Sequence, residues 1–195
     1  DPLWSRGLGD VYKRQCLDYA QLLQEKYRLI ECNIVPAFNE ESTLDSVSFG
    51  CYQLMARYLQ DDKEKIIGLG SGLTLKKALQ RIDFDSQNTR CVALISAMDA
   101  DGQCNYYDDV PLLLTSKIKA KYYQWPAPRY AQTQEEYDMW CTSRLFCSVS
   151  TVARRADVIF VGIGPLGTQS PIFKDGFINQ AQMDELTARG GIGEI

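Results

Sequence analysis

Apolar positions along the chain switch repeatedly between a helical and a strand period. Leu17, Ala20 and Leu23 or Gln24 recur at turn spacing and predict a helix to Lys26; Leu29 to Val35 then alternates as a strand ending at Pro36. Glu40-Glu41-Ser42-Thr43 predicts the next helix start, with acids where the helix dipole favours them. Its expected core face is Leu44, Val47, Cys51, Leu54, Met55 and Tyr58, and Gln60-Asp61-Asp62 ends it. A strand from Lys65 to Leu69 leads through glycines into a helix from Leu73 to Arg81. There Leu75, Ala78, Leu79 and Ile82 fall at i, i+3, i+4, i+7.

Arg90 to Ile95 is nearly continuous in hydrophobicity, which suits a parallel strand covered on both faces. Asp99 to Gln103 reads as a turn, and Val110 to Ala120 as a helix with Pro111 in its first turn. Lys121 to Trp125 is a short strand closed by Pro126-Ala127-Pro128, and one longer helical region covers Gln134 to Arg155. Ala156 to Gly162 is the strongest strand pattern, followed by Ile163-Gly164-Pro165. Asn179 with Gln182 three later opens the last helix, which runs to Arg189 and stops on Gly190-Gly191. Strands alternating with helices predict an α/β fold around a parallel sheet. Gly193-Glu194-Ile195 starts a further strand, whose edge would be unpaired, so a truncated C-terminus is expected.

The densest chemical signal is Gly68-Leu69-Gly70-Ser71-Gly72-Leu73-Thr74-Leu75. A strand that turns through glycines into a helix presents backbone N–H groups and the positive end of a helix dipole, a geometry that receives phosphate or carboxylate. The spacing G-x-G-x-G-x-T is neither the dinucleotide fingerprint nor the P-loop. Glycines used only to turn tightly would give the same pattern.

Ser5 to Gln15 matches the in-frame translation of a transposase sequencing adapter, so residues 1–15 are expected to be foreign and residues 16–195 one partial domain. The basic residues Arg6, Lys13 and Arg14 are then no sign of nucleic-acid binding. A composition 45% hydrophobic and 24% charged fits a soluble globular domain, and a net charge of −4 gives no global attraction to nucleic acid or anionic membrane. No apolar run approaches the roughly 20 residues of a membrane helix. Seven cysteines without C-x-x-C spacing read as reduced core thiols of a cytoplasmic protein. The chain has no histidine, which removes the commonest general base and metal ligand; no metal or cofactor is expected.

From Leu22 to Ile195 the chain resembles the C-terminal sugar-binding domain of SorC-type, DeoR-like bacterial transcriptional regulators. The likeness rests on five segments in family order: Gly68 to Leu75, Trp125 to Pro128, Ala153 to Gly164, Gly176-Phe177-Ile178, and Leu186 to Ile195. It implies a Rossmann-like fold akin to phosphosugar isomerases and CoA transferases, and an effector role without catalysis. The ligand would be a phosphorylated sugar, and binding would control a helix-turn-helix segment absent here. DNA would be reached only through that segment, and a homo-oligomer is expected. By position, Gly70, Ser71, Gly72, Leu73 and Thr74 would hold phosphate, Gly162 and Gly164 would line the same crevice, and Glu194 would meet sugar hydroxyls.

The chain departs from the family at Leu73, where an arginine is usual, and at Ser71, often an aromatic. Ser96-Ala97 replaces a common double glycine, and Glu194 an aspartate. Lys76 or Lys77 is a candidate replacement cation, against a solvated-face reading of both. Two alternatives stay open: a phosphosugar isomerase or deaminase using Asp99, Asp101, Asp108, Asp109 or Glu194, and a domain that only oligomerises, with aromatics such as Trp125, Tyr130 and Trp140 at an interface.

Overall fold

Lys65–Leu69 (β1) is buried at every residue and lies inside a four-stranded parallel sheet. The computed structural model describes residues 3–37, 39–61, 63–98, 102, 110–174 and 176–195. On one side β1 pairs with Thr89–Ala93 (β2), from Lys65↔Thr89 to Leu69↔Ala93, and β2 pairs in turn with Lys121–Tyr123 (β3). On the other side it pairs with Val158–Phe160 (β4), from Ile67↔Val158 to Leu69↔Phe160. The order β3-β2-β1-β4 therefore reverses direction between β1 and β4. In open α/β sheets the crevice at the carboxyl ends of two such strands is where ligands bind.

The helices follow the predicted alternation. Leu3–Tyr27 forms α1, Glu40–Leu59 α2, Leu73–Leu79 α3 and Val110–Ile118 α4. The helices α2, α3 and α4 pack in sequence and enclose one core, in which Met55, Leu59, Ile67, Leu69, Leu79, Leu114 and Ile118 are all but fully buried. The predicted face of α3 is correct: Leu75, Ala78, Leu79 and Ile82 are all buried. The two leucines and the isoleucine each contribute on the order of 1.5–3 kcal/mol by leaving water. The α2 start is a reciprocal cap, with Asn39 Oδ1 accepting from Ser42 N–H while Ser42 Oγ accepts from Asn39 N–H.

Several expectations are corrected. Leu29 to Val35 is no strand; it has no ladder partner among the described residues, and Val35 covers the surface of Gly50, whose Cβ would lie 2.8 Å from Val35 Cγ1. On α2, Val47 and Tyr58 are exposed, and Ser48 is buried instead, its hydroxyl donating to Leu44 O at 2.6 Å. The single long helix expected from Gln134 divides into α5 (Gln134–Thr142) and α6 (Arg144–Arg154). Ser143 adopts an extended backbone there, and its Oγ accepts from Phe146 N–H, a side-chain bond that stops one helix and starts the next. The strands β2, β3 and β4 are each shorter than their apolar runs, because pairing ends where the chain turns out of the sheet.

The helix α1 continues through the residues read as foreign, and from Val11 to Tyr27 most of its side chains are exposed. Near the C-terminus come α7 (Pro171–Lys174) and α8 (Gln180–Ala188); the predicted Asn179–Gln182 capping box opens α8. Gly193–Glu194 (β6) does form a short strand. It joins no sheet edge, however, and pairs antiparallel with Gly164–Pro165 (β5). Asp99, Asp101, Asp108, Asp109, the Asp99 to Gln103 turn apart from Gly102, and Cys104 lie outside the described residues.

Candidate functional site

The chain leaves β1 at Gly70 and β4 at Val161, side by side at the point where the strand order reverses. Gly70 N–H donates to Phe160 O at 2.9 Å and so extends the β1–β4 ladder by one bond. Gly70 is therefore a buried hinge whose N–H is engaged, and it does not line the crevice. The groups that face it begin at Ser71. Gly72 has φ +126° and ψ 152°, a conformation open to glycine alone, and it forms the N-cap of α3 without a capping side chain. The first turn of any helix leaves its N–H groups without intrahelical acceptors.

Ser71, Gly72, Leu73 and Thr74 form one wall of a cavity of about 340 Å³; Gly162, Ile163 and Gly164 form a second. The two turns touch, since a Cβ on Gly162 would stand 3.3 Å from Ser71 O. Glu194 and Ile195 enter from β6, whose pairing with β5 sets Glu194 opposite Gly164. A Cβ on Gly164 would lie 3.1 Å from Glu194 Cγ and Oε1, so a glycine there leaves room for the carboxylate stem. Seven of the eight residues expected from the sequence thus share one cavity.

The replacement cation weighed at Lys76 or Lys77, against a solvated-face reading of both, is not found there. Lys77 Nζ donates to Asp45 Oδ1 of α2 at 2.6 Å, and this bond holds the Asp45 carboxyl below its ordinary range. Neither lysine lines the cavity, and Leu73 is half exposed at 52%. Arg129 reaches the cavity instead, with Tyr130 beside it. Sequence reasoning missed Arg129 and named Tyr130 only as an interface aromatic; the available signal was that they directly follow Trp125-Pro126-Ala127-Pro128, whose prolines carry the chain out of β3.

Arg129 is anchored from three sides. Its backbone N–H donates to Met98 O at 2.9 Å, its Nε donates to Ser96 O at 3.0 Å, and its guanidinium carbon lies 4.5 Å from the centre of the Phe177 ring. Ser96, buried, also accepts from Met98 N–H through its Oγ at 3.1 Å. The Ser96-Ala97 turn is therefore the platform that carries the arginine. Burial pushes the Tyr130 phenol above its ordinary range; Arg129 opposes this and the Glu194 charge adds to it, so the three groups share one electrostatic neighbourhood. A smaller cavity of about 220 Å³, bounded by Trp125, Ala127, Pro128 and Phe146, adjoins across Ile95 and Arg129.

A parallel sheet with a crevice at its switch point, walled by two glycine turns and apolar side chains with one arginine and one carboxylate, defines a small-molecule-binding α/β domain. The chain belongs to the sugar-binding domain family (Sugar-bind), whose model matches residues 13–195. It is 27% identical over 189 residues to the erythritol catabolism regulatory protein EryD of Brucella abortus (strain 2308), covering 96% of this chain and 59% of that protein. Its fold is that of a DeoR family transcriptional regulator from Listeria monocytogenes, with a TM-score of 0.80 at 21% identity over 92% of this chain and 71% of that one. The full-length sorbitol operon regulator SorC from Klebsiella pneumoniae superposes with a TM-score of 0.78 at 22% identity, over 93% of this chain and 60% of that one. The fold class and family expected from the five ordered segments are correct. The chain spans little more than half of that curated relative, which is named as a regulatory protein.

Proposed function

We propose that this chain is the effector-sensing part of a bacterial transcriptional regulator: it binds a phosphorylated sugar and thereby controls DNA binding by a helix-turn-helix segment elsewhere in the protein. The observation that carries this reading is the convergence of Ser71–Thr74, Gly162–Gly164 and Glu194 on one cavity. The Ser71–Thr74 turn offers backbone N–H groups and two hydroxyls to a phosphate, while Glu194 accepts from sugar hydroxyls. Each hydrogen bond to a charged group contributes on the order of 1.5–3 kcal/mol net. A few of them sustain roughly micromolar affinity, about −8 kcal/mol, after the costs of association. The reading includes self-association and a cytoplasmic setting, and among the described residues no helix is long and apolar enough to cross a membrane.

The domain senses its ligand without transforming it. Acid–base catalysis needs two groups matched across the substrate, and the described residues lining the cavity include one carboxylate, Glu194, in a chain without histidine. Calorimetry with sugar phosphates tests the binding: Thr74→Val lowers affinity roughly tenfold, about 1.4 kcal/mol, with thermal stability nearly unchanged. Equal affinity removes Thr74 from the site. Turnover of a sugar phosphate, followed by NMR and lost in Glu194→Gln, would make the domain an enzyme.

A further inference from the structure

We propose that Cys141 and Cys147 form a peroxide-sensitive dithiol that closes to a disulfide across the break between α5 and α6. One unbroken helix would keep the two thiols apart: over that separation it rises about 9 Å and points the second thiol about 120° away from the first. The break at Ser143 (φ −64°, ψ 141°) removes that separation. The Cys147 thiol, near the start of α6, donates to the Cys141 backbone oxygen at 3.4 Å. Only the carbonyl carbon, Cα and Cβ stand between that oxygen and the Cys141 sulfur. One thiol therefore lies within a side chain's reach of the other.

The described cysteines divide by surroundings. Cys91 is buried, which pushes its thiol up to about 12, and burial raises the Cys51 thiol as well, so both are poor nucleophiles near neutral pH. Cys147 is exposed and Cys141 half-buried. A hydrogen bond with the Cys141 thiol, one turn along α5, pushes the exposed Tyr137 phenol above its ordinary range, so this sulfur has polar company and is no core thiol. Exposure sets the order of the chemistry. The Cys147 thiolate attacks one oxygen of hydrogen peroxide; the O–O bond breaks, sulfur is oxidised to the sulfenic acid, and the other oxygen leaves as water with the thiol proton. The Cys141 sulfur then attacks the sulfenic sulfur: S–S forms, S–O breaks, and the departing hydroxide takes the Cys141 proton as a second water. Two thiols and one peroxide thus become one disulfide and two waters. In a reducing compartment the pair rests as thiols and closes only on oxidation. Once closed, the bond fastens α5, which has no buried residue of its own, to α6.

The experiment reduces the whole chain, removes the reductant, adds hydrogen peroxide and blocks the remaining thiols with N-ethylmaleimide. Trypsin digestion without reduction and mass spectrometry follow. Trypsin cuts after Arg129, Arg144 and Arg154, so residues 130–144 and 145–154 stay together only if a disulfide joins Cys141 to Cys147. The expected product is that joined pair, lighter by two hydrogens than the separate peptides and released by dithiothreitol. Cys147→Ser loses it and leaves Cys141 as a thiol. Cys141→Ser also loses it, but accumulates a Cys147 sulfenic acid that dimedone labels and that wild type does not accumulate. Cys32→Ser keeps the joined pair in full, and circular dichroism reports the fold of each variant. Wild-type peptides that stay separate at peroxide doses already oxidising the exposed Met139 overturn the pair. A Cys147 joined instead to another cysteine, or to a second chain, overturns it too. Dimedone labelling no greater in Cys141→Ser than in Cys147→Ser overturns Cys147 as the thiol that meets peroxide first.

Discussion

Glu194 and Gly164 face each other across a two-residue antiparallel pair, and the carboxylate stem of one occupies the space a side chain on the other would need. The contact sets the acid at the mouth of the cavity. Gly164→Ala puts a methyl 3.1 Å from Glu194 Cγ and Oε1, and the flexible glutamate swings away. The expected outcome is a sugar-phosphate affinity roughly tenfold lower, about 1.4 kcal/mol, with a urea midpoint close to wild type. Calorimetry and urea titration of the same variant separate the two effects.

Gly72→Ala tests the turn by a different route. At φ +126° and ψ 152° an added methyl meets nothing within 4 Å, so its cost is conformational. About 1–3 kcal/mol of strain is expected, relieved by reshaping the turn. Both the melting temperature and the ligand affinity should fall. A variant with wild-type values of both would show that the turn needs no glycine there.

Asp157 holds the entry of β4 to β1. Its Oδ2 accepts from Ile66 N–H at 2.7 Å, and its own N–H donates to Ile66 O at 2.8 Å. Asp157→Ala removes a charge-assisted acceptor from the backbone of a buried residue, and a loss of about 1.5–3 kcal/mol is expected. Asp157→Asn, which keeps a carbonyl acceptor, should lose less. The order of the two urea midpoints decides the matter.

Alkaline pH reports on the core. Burial pushes the Cys91 thiol from 9.0 up to about 12, so the unfolded chain ionises first as pH rises. This contribution to stability is complete below pH 9, falls by about 1.4 kcal/mol at pH 10, and is lost as pH passes through the folded value. The Cys51 thiol is raised by burial as well. The stability difference between pH 8 and pH 10 should therefore shrink in Cys91→Ala relative to wild type; an identical difference would show that Cys91 is not the group responsible.

The parts of this protein legible in the sequence are those set by local periodicity. The face of α3, the capping box of α8 and the run into the glycine turn depend on neighbours a few residues apart, and the polypeptide carries that information in order. The break at Ser143 and the exposure of Val47 and Tyr58 depend on side-chain bonds and neighbours that no period reveals. The pairing of β6 with β5 joins segments far apart in the chain, and only the folded arrangement selects it.

The site divides in the same way. Two glycine turns at the ends of β1 and β4 are recognisable from residue type alone: Gly72, at φ +126°, has a backbone that side chains avoid, and at Gly162 and Gly164 a side chain would crowd Ser71 O and Glu194. Their meeting in one crevice was decided by the strand order, which sets β4 beside β1 across the sheet. The positive charge was decided there too. Lys77, near in sequence, is drawn to Asp45 on α2, whereas Arg129, more than fifty residues from the turn, is held over Phe177 by a backbone carbonyl of the β2 exit. Charge positions depend on packing between distant segments, and that packing exists only in the folded chain.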